Sequence, residues 1–378
     1  MSIPSTPLPA PTGPDASLRD IAEKVESGAR LSREDGLRLY ASPDLHEIGR
    51  LANVVRERKH GNAAYFVINR HINYSNVCVD TCLFCAFARR PGEEGGYLYT
   101  MDEMVRKAEE ARAIGATEIH IVGGLHPDLP FAFYTEMLAT LHARFPEIHL
   151  KAFTAVEIAF FAEKFGMTVE DVLGRLRASG LGSLPGGGAE ILAERVRKKL
   201  CRDKIDTESW LGVHRTAHRM GIRSNATMLY GHIERDDERI EHMIRIRDLQ
   251  DETGGFLTFI PLSFHPENTF LEKLPKATGT SDLRNIAISR LMVDNVDHVK
   301  AYWTMTGLPI AQIALAFGAD DMDGTVIEEK ITHMAGGRSP QGVGRDDLCR
   351  LIREAGREPV QRDTLYTRLD PVAAPAVA

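Results

Sequence analysis

Cysteine and tryptophan are scarce in this sequence, with five of the first and two of the second among 378 residues. Three of the five cysteines fall within eight residues, a poor disulfide framework for so long a chain and a better set of reduced ligands. Long apolar runs are missing as well: no stretch approaches the roughly 18 residues that a membrane-spanning helix requires. The opening MSIPSTPLPAPTGPD has neither the basic start nor the apolar stretch of a secretory signal. No long basic block occurs, and 46 Lys and Arg against 53 Asp and Glu leave a net charge of −7, which disfavours a nucleic-acid partner. On these absences the protein is expected to be cytoplasmic, with no membrane and no nucleic-acid partner.

What is present is an ordinary globular mixture, 43% hydrophobic and 26% charged. Pro/Ala-rich segments at 1–16 and from Asp370 onward lack apolar periodicity and are expected to be mobile tails. Between Leu18 and Lys59 apolar residues recur at helical spacing, and Ser32-Arg-Glu-Asp35 has the form of a capping box, so 17–60 is expected as a helical N-terminal extension. Beyond it, short β-rich runs alternate with amphipathic helical stretches. The pattern predicts strands at 65–72, 118–122, 148–153, 182–184, 223–229, 256–261, 296–301 and 317–320, and helices at 101–114, 132–144, 169–179, 208–220, 237–252 and 281–293. About eight βα repeats over roughly 260 residues is the count of an α/β protein with a (β/α)8 TIM-type barrel. That barrel is assigned to 61–355, with 356–378 as a C-terminal extension and tail. An open doubly wound sheet is the competing architecture, but no Gly-rich dinucleotide fingerprint follows the first strand.

In such barrels chemistry gathers on the loops after the C-terminal strand ends. Here those loops are polar or Gly-rich, at 73–78, 123–127, 154–157, 185–188, 230–234, 261–265 and 320–321. The sharpest feature is Cys78-Val-Asp-Thr-Cys82-Leu-Phe-Cys85, whose chance expectation at this cysteine content is about 0.001. Three thiolates on one short loop can hold three irons of a cubane and leave the fourth iron open to a small molecule. A structural zinc site is the alternative, but it wants four ligands and no second cysteine pair exists. An iron-sulfur electron carrier would be expected to use four cysteines per cluster. Cys201 and Cys349 stand apart from the triplet in helical or polar contexts and are expected to be packing residues.

The CxxxCxxC loop resembles that of the radical S-adenosylmethionine (radical SAM) superfamily, with Phe84 at the aromatic position. The resemblance implies a 4Fe-4S cluster on Cys78, Cys82 and Cys85, with S-adenosyl-L-methionine (SAM) chelated to the unique iron. It also implies reductive cleavage of SAM to a 5'-deoxyadenosyl radical and a reductant such as flavodoxin or ferredoxin. By the same resemblance Gly123-Gly124 corresponds to the loop that meets the methionyl ammonium, with Leu125 and His126 in place of the usual Glu. Met228 to Glu234 corresponds to the segment ending in GxxE along the adenine. Glu157 and Gly187 complete the cofactor-binding candidates. Read from physics alone, the glycines at 186–188 form a strand-to-helix loop able to face an anion or ribose hydroxyls, or a tight turn that frees space for packing.

Ile72-Asn73-Tyr-Ser-Asn76-Val-Cys78, the Pro185-to-Ile191 segment and Tyr230-Gly-His-Ile-Glu234 narrow the resemblance, over roughly residues 60 to 355, to the futalosine-pathway and deazaflavin-synthesis group. The segments 184–191 and 317–331 look most like the aminofutalosine synthase family. Dehypoxanthine futalosine cyclases and FO synthase subunits are the neighbouring families. The synthase resemblance implies addition of the adenosyl radical to the vinyl carbon of 3-[(1-carboxyvinyl)oxy]benzoate, then aryl migration and carboxylate loss to give 6-amino-6-deoxyfutalosine for menaquinone biosynthesis. SAM is then a co-substrate. A dianionic enol-ether benzoate needs cationic or hydrogen-bonding partners in a water-poor barrel. Candidates at strand ends are His71, Asn73, Asn225, Tyr230, His232 and His265, of which His71, Asn73, Tyr230 and His232 are expected to be catalytic. Trp303 is expected in the core. Asp320, Asp321 and Asp323 are expected as an acidic loop at the last strand, either serving ribose or proton handling or forming a solvated turn.

Overall fold

The computed structural model describes residues 18–369, so the expected tails at 1–16 and from 370 onward lie outside the described residues. Ten strands follow in chain order: β1 (Ala63–Val67), β2 (Asn69–Ile72), β3 (Glu118–Ile121), β4 (His149–Ala152), β5 (Ser183–Leu184), β6 (Arg223–Tyr230), β7 (Phe256–Ser263), β8 (His298–Val299), β9 (Asp321–Gly324) and β10 (Glu358–Gln361). Strands β2 to β8 pair in sequence as one parallel sheet, and β10, β1 and β9 form a second. Backbone bonds join the two. Asp320 N donates to Val299 O at 3.1 Å and Ala301 N to Asp321 O at 2.8 Å, linking β8 to β9. Tyr65 N then reaches Asp320 O at 2.7 Å and Thr325 N reaches Val67 O at 3.1 Å, linking β9 to β1. Since β1 runs into β2 through Ile68, the curled sheet closes as a TIM-type barrel of eight positions, in the α/β class read from the sequence.

Strand parity decides what enters this barrel. Side chains alternate along a strand, and in β6 Asn225, Thr227 and Leu229 line the interior. Ala226, Met228 and Tyr230 are fully buried but do not line it. Tyr230 shows where that second set points: its hydroxyl donates to Asp282 of the helix Gly279–Met292 at 2.8 Å.

Three helices precede β1: Arg19–Ser27, Arg33–Ala41 and Leu45–His60. The Ser32–Asp35 capping box is present in both directions. Helix Leu45–His60 packs on Gly279–Met292. A side chain at Gly49 would strike the Phe317 ring at 2.5 Å, so this glycine lets Phe317 dock on the helix. That docking corrects the sequence reading of the last strand: 317–320 leads into the strand, and β9 itself begins at Asp321.

Two more segments differ from the sequence reading. Residues 154–157 do not form a loop but open the helix Ala155–Phe165, where Thr154 accepts from Glu157 N and the Glu157 carboxylate accepts from Thr154 N. The segment after 355 supplies β10, which lies parallel to β1 with Ala63 opposite Glu358.

Candidate active site

The C-terminal strand ends surround a cavity of about 320 Å³. Cys78, Cys82, Cys85 and Phe84 form one side of its rim. They stand on an irregular loop that two neighbouring segments fix in place through three backbone bonds. Gly124 N donates to Ser75 O at 2.8 Å, Val79 N to Leu125 O at 3.1 Å, and Leu83 N to Leu200 O at 2.9 Å.

Glycine is required at 124 by the protein's own backbone. A Cβ there would lie 2.3 Å from Val77 O and 3.0 Å from Cys78 Cβ, and one at Gly123 would lie 2.6 Å from the Tyr74 ring. Both glycines line the cavity, yet their missing side chains make room for the cysteine loop rather than for a ligand. Glu157 clasps the same assembly. Its Oε1 accepts from Tyr74 Oη at 3.0 Å and Gly123 N at 3.1 Å, and its Oε2 from Thr154 N and Oγ1 at 2.7 and 2.9 Å. Burial outweighs these donors and pushes its carboxyl up to about 7.

The glycine triplet also lines the cavity. Gly186 must be glycine because a Cβ would sit 2.8 Å from the Ala226 backbone, and Gly188 takes a left-handed φ of +86°. Gly187 lines the cavity while its carbonyl accepts from Trp210 Nε1 at 3.2 Å. Glu190 and Lys204 also line the cavity and pair at 2.7 Å, with Lys204 Nζ 5.0 Å from the centre of the Phe84 ring. Cys201 is therefore not remote from the triplet: it belongs to the segment that Leu200 anchors to the cysteine loop, although it does not line the cavity. Cys349 is buried in the helix Arg345–Glu354.

The floor is polar. It carries His71, His120, Lys151, Lys300, Asp323 and Glu329. Lys151 pairs with Glu118 at 2.6 Å and Lys300 with Asp323 at 2.6 Å. Of the residues read from the sequence, His71, Asn225 and His265 do line the cavity. Burial holds the His71 and His265 rings below the ordinary histidine value.

Other sequence candidates sit elsewhere. Asn73 is buried and donates to Val122 O at 3.3 Å. Met228 and Tyr230 face outward by strand parity. The His232 ring is turned back on its own loop, with Nε2 2.9 Å from Leu229 O and Nδ1 2.8 Å from Glu234. Glu234 is spent on Gly231 N, His232 N and Arg239, so it caps the turn instead of reaching the cavity. Trp303 is fully buried and donates to Gly324 O at 2.8 Å, as a core residue would. The acidic residues form no solvated turn: Asp320 is buried with Arg290 and His298, Asp321 pairs with Arg362 at 2.6 Å, and only Asp323 reaches the cavity.

Sequence reading missed His120, Lys151, Lys300 and Glu329. His120, Lys151 and Lys300 belong to no motif, and Glu329 lies within the 317–331 segment that carries the family resemblance. The available signal was their inward parity on strands already located or, for Glu329, its place after the last one. The cysteine trio suits a soft metal: burial pushes the Cys78 and Cys82 thiols up, so thiolates there need a cation to neutralise them.

Comparison with known proteins agrees with this geometry. Residues 72–246 match the radical SAM superfamily and 253–374 match the CofH/MqnC C-terminal region. The chain is 51% identical to aminodeoxyfutalosine synthase from Thermus thermophilus, over 93% of this chain and 96% of that one. Identity is 47% with aminodeoxyfutalosine synthase from Streptomyces coelicolor, covering 93% and 94%. A cyclic dehypoxanthine futalosine synthase from Halalkalibacterium halodurans is 40% identical, covering 93% and 94%. Among solved structures, methylornithine synthase (PylB) shares the fold with a TM-score of 0.72 at 19% identity, covering 90% of this chain and 97% of that one. The chain belongs to the radical SAM superfamily of enzymes, in the branch that holds the aminodeoxyfutalosine synthases.

Proposed function

We propose that this enzyme adds the 5'-deoxyadenosyl group of SAM to the vinyl carbon of 3-[(1-carboxyvinyl)oxy]benzoate, forming 6-amino-6-deoxyfutalosine for menaquinone biosynthesis. The observation that carries the reading is the polarity of one cavity, with three cysteines at its rim and imidazoles and lysines at its floor. The identity to two aminodeoxyfutalosine synthases supports it further.

Cys78, Cys82 and Cys85 are the residues that would hold a 4Fe-4S cluster, leaving one iron without a protein ligand. The chemistry such a cluster would supply there is one-electron reduction of SAM, the source of a 5'-deoxyadenosyl group in radical form. Phe84, Gly123, Gly124, Glu157 and Gly187 are the lining groups beside that rim and form the proposed SAM site. Val122, Leu125, Ile260, Leu262 and Phe264 contribute apolar walls that keep water from a reactive species. The floor offers donors to the two carboxylates of the enol-ether benzoate. A one-electron donor such as flavodoxin or ferredoxin is the proposed reductant.

The test is product analysis. Reduced enzyme given the enol-ether benzoate and adenosine-labelled SAM should place the label in an adenine-bearing aryl ketone, with one SAM used per product. Label found only in free 5'-deoxyadenosine, with dehypoxanthine futalosine stimulating its release, would assign the chain to the cyclase reaction instead.

A further inference from the structure

Three polar side chains stand abreast on the inner face of adjacent strands. His71 of β2 is the register partner of His120 of β3, and His120 is that of Lys151 of β4. All three line the cavity. The two imidazoles stack, with ring centroids 4.5 Å apart and planes 15° from parallel.

Their neighbours are already partnered. Lys151 has Glu118 and Lys300 has Asp323, while Glu329 accepts from the N–H groups of Ile331 and Thr332 and faces His333 at 3.5 Å. The stacked rings differ: among the described residues no group hydrogen-bonds to either of them. Both rings line the cavity, so the space open to a partner for their nitrogens is the cavity itself.

The charges around the stack are mixed. Glu329, Asp323 and Glu118 favour a proton on His71, and Lys151 opposes it. On His120, Glu118 favours a proton, and Lys151, Lys300 and His71 oppose it. Desolvation is the largest influence on both rings and leaves the empty pair neutral. An entering anion supplies the missing counter-charge. Repulsion between rings 4.5 Å apart then limits the pair to a single added proton.

We infer that the stacked His71–His120 pair is the receptor for one carboxylate of the aryl acid substrate, and that the pair takes up one proton from solvent as that carboxylate enters. A carboxylate meeting an imidazolium gains a hydrogen bond with charge on both partners, stronger than the one a neutral ring gives. The inference rests on the enol-ether benzoate reading above and names where that substrate is held.

Calorimetric titration of the enol-ether benzoate into cluster-loaded, SAM-bound, unreduced enzyme tests it without turnover. In two buffers of different protonation enthalpy at about pH 8, the unaltered enzyme should take up close to one proton per ligand. Affinity should then fall about tenfold per pH unit above that point. His120→Phe and His71→Phe keep a flat ring in the stack; each should abolish proton uptake and weaken binding at least tenfold while leaving SAM affinity unchanged. Binding of the benzoate with no proton uptake would overturn the inference and leave the functional reading standing. Wild-type affinity in both Phe variants would overturn it in the same way. Failure of the unaltered enzyme to bind the benzoate while it binds SAM would overturn both. The buffer comparison decides the matter even if the variants misfold.

Discussion

At the N-terminal end of the strands, Arg290 bonds to Asp320 and donates to Gly318 O at 2.8 Å, while His298 takes the other Asp320 oxygen at 2.5 Å. Arg362 pairs with Asp321 at 2.6 Å. At the C-terminal end, His71, His120 and Asn225 face open space, and three cysteines share one rim. Both ends bury polar groups, but one closes Asp320 and Asp321 into ion pairs and the other leaves donors exposed to a cavity. The difference separates what holds the barrel from what the barrel holds. Glycine marks the same divide, since Gly124 and Gly186 bring the C-terminal loops into contact closer than any side chain permits.

The largest break in this comparison is Cys82→Ala. It should remove the iron-sulfur cluster and all SAM cleavage while the thermal unfolding midpoint of the cluster-free protein stays near that of cluster-free wild type. Iron retained at wild-type stoichiometry would show that Cys82 is not a ligand. Cys201→Ala should keep both iron and SAM cleavage, although Cys201 lies on the segment fastened to the cysteine loop.

Next in size is Arg290→Met at the opposite end. Removing one partner of a fully buried pair costs about 3–5 kcal/mol, read as a lower denaturant midpoint. The folded fraction should still bind the cluster and SAM as wild type does. A midpoint within error of wild type would mean that His298 and the Val299 N–H already satisfy Asp320.

Gly124→Ala is the smallest of the three and sharpens the reading of the rim. Its Cβ would fall 2.3 Å from Val77 O, so the cysteine loop must shift. Overpacking of this kind costs about 1–3 kcal/mol. Iron occupancy per folded chain should drop although every cysteine is intact. Full occupancy with weakened SAM binding alone would return Gly124 to a purely ligand-facing role.

Much of this was legible in the sequence for physical reasons. Alternating β-rich and amphipathic runs located seven of the eight barrel positions near their observed places, and the cysteine spacing named the rim. The last strand was not legible. Asp321-Met-Asp-Gly324 has poor strand propensity, and it forms β9 because Arg362 and Lys300, distant in sequence, neutralise its acids. Tyr230 and Met228 drew attention through their motif, yet strand parity turns them away and presents Asn225, Thr227 and Leu229. His120 and Lys151 have no motif. They emerge only once β2, β3 and β4 are set in register. The Thr154–Glu157 capping box was readable from its spacing.

The central claim is that the cysteine rim carries a cluster with one iron open to SAM. Electron paramagnetic resonance of the reduced, cluster-loaded Cys201→Ala/Cys349→Ala protein tests it most directly, because only the three rim cysteines remain. The account predicts a reduced 4Fe-4S signal whose g values shift when SAM is added. A signal that SAM leaves unchanged, or no cluster at all in this variant, would contradict it.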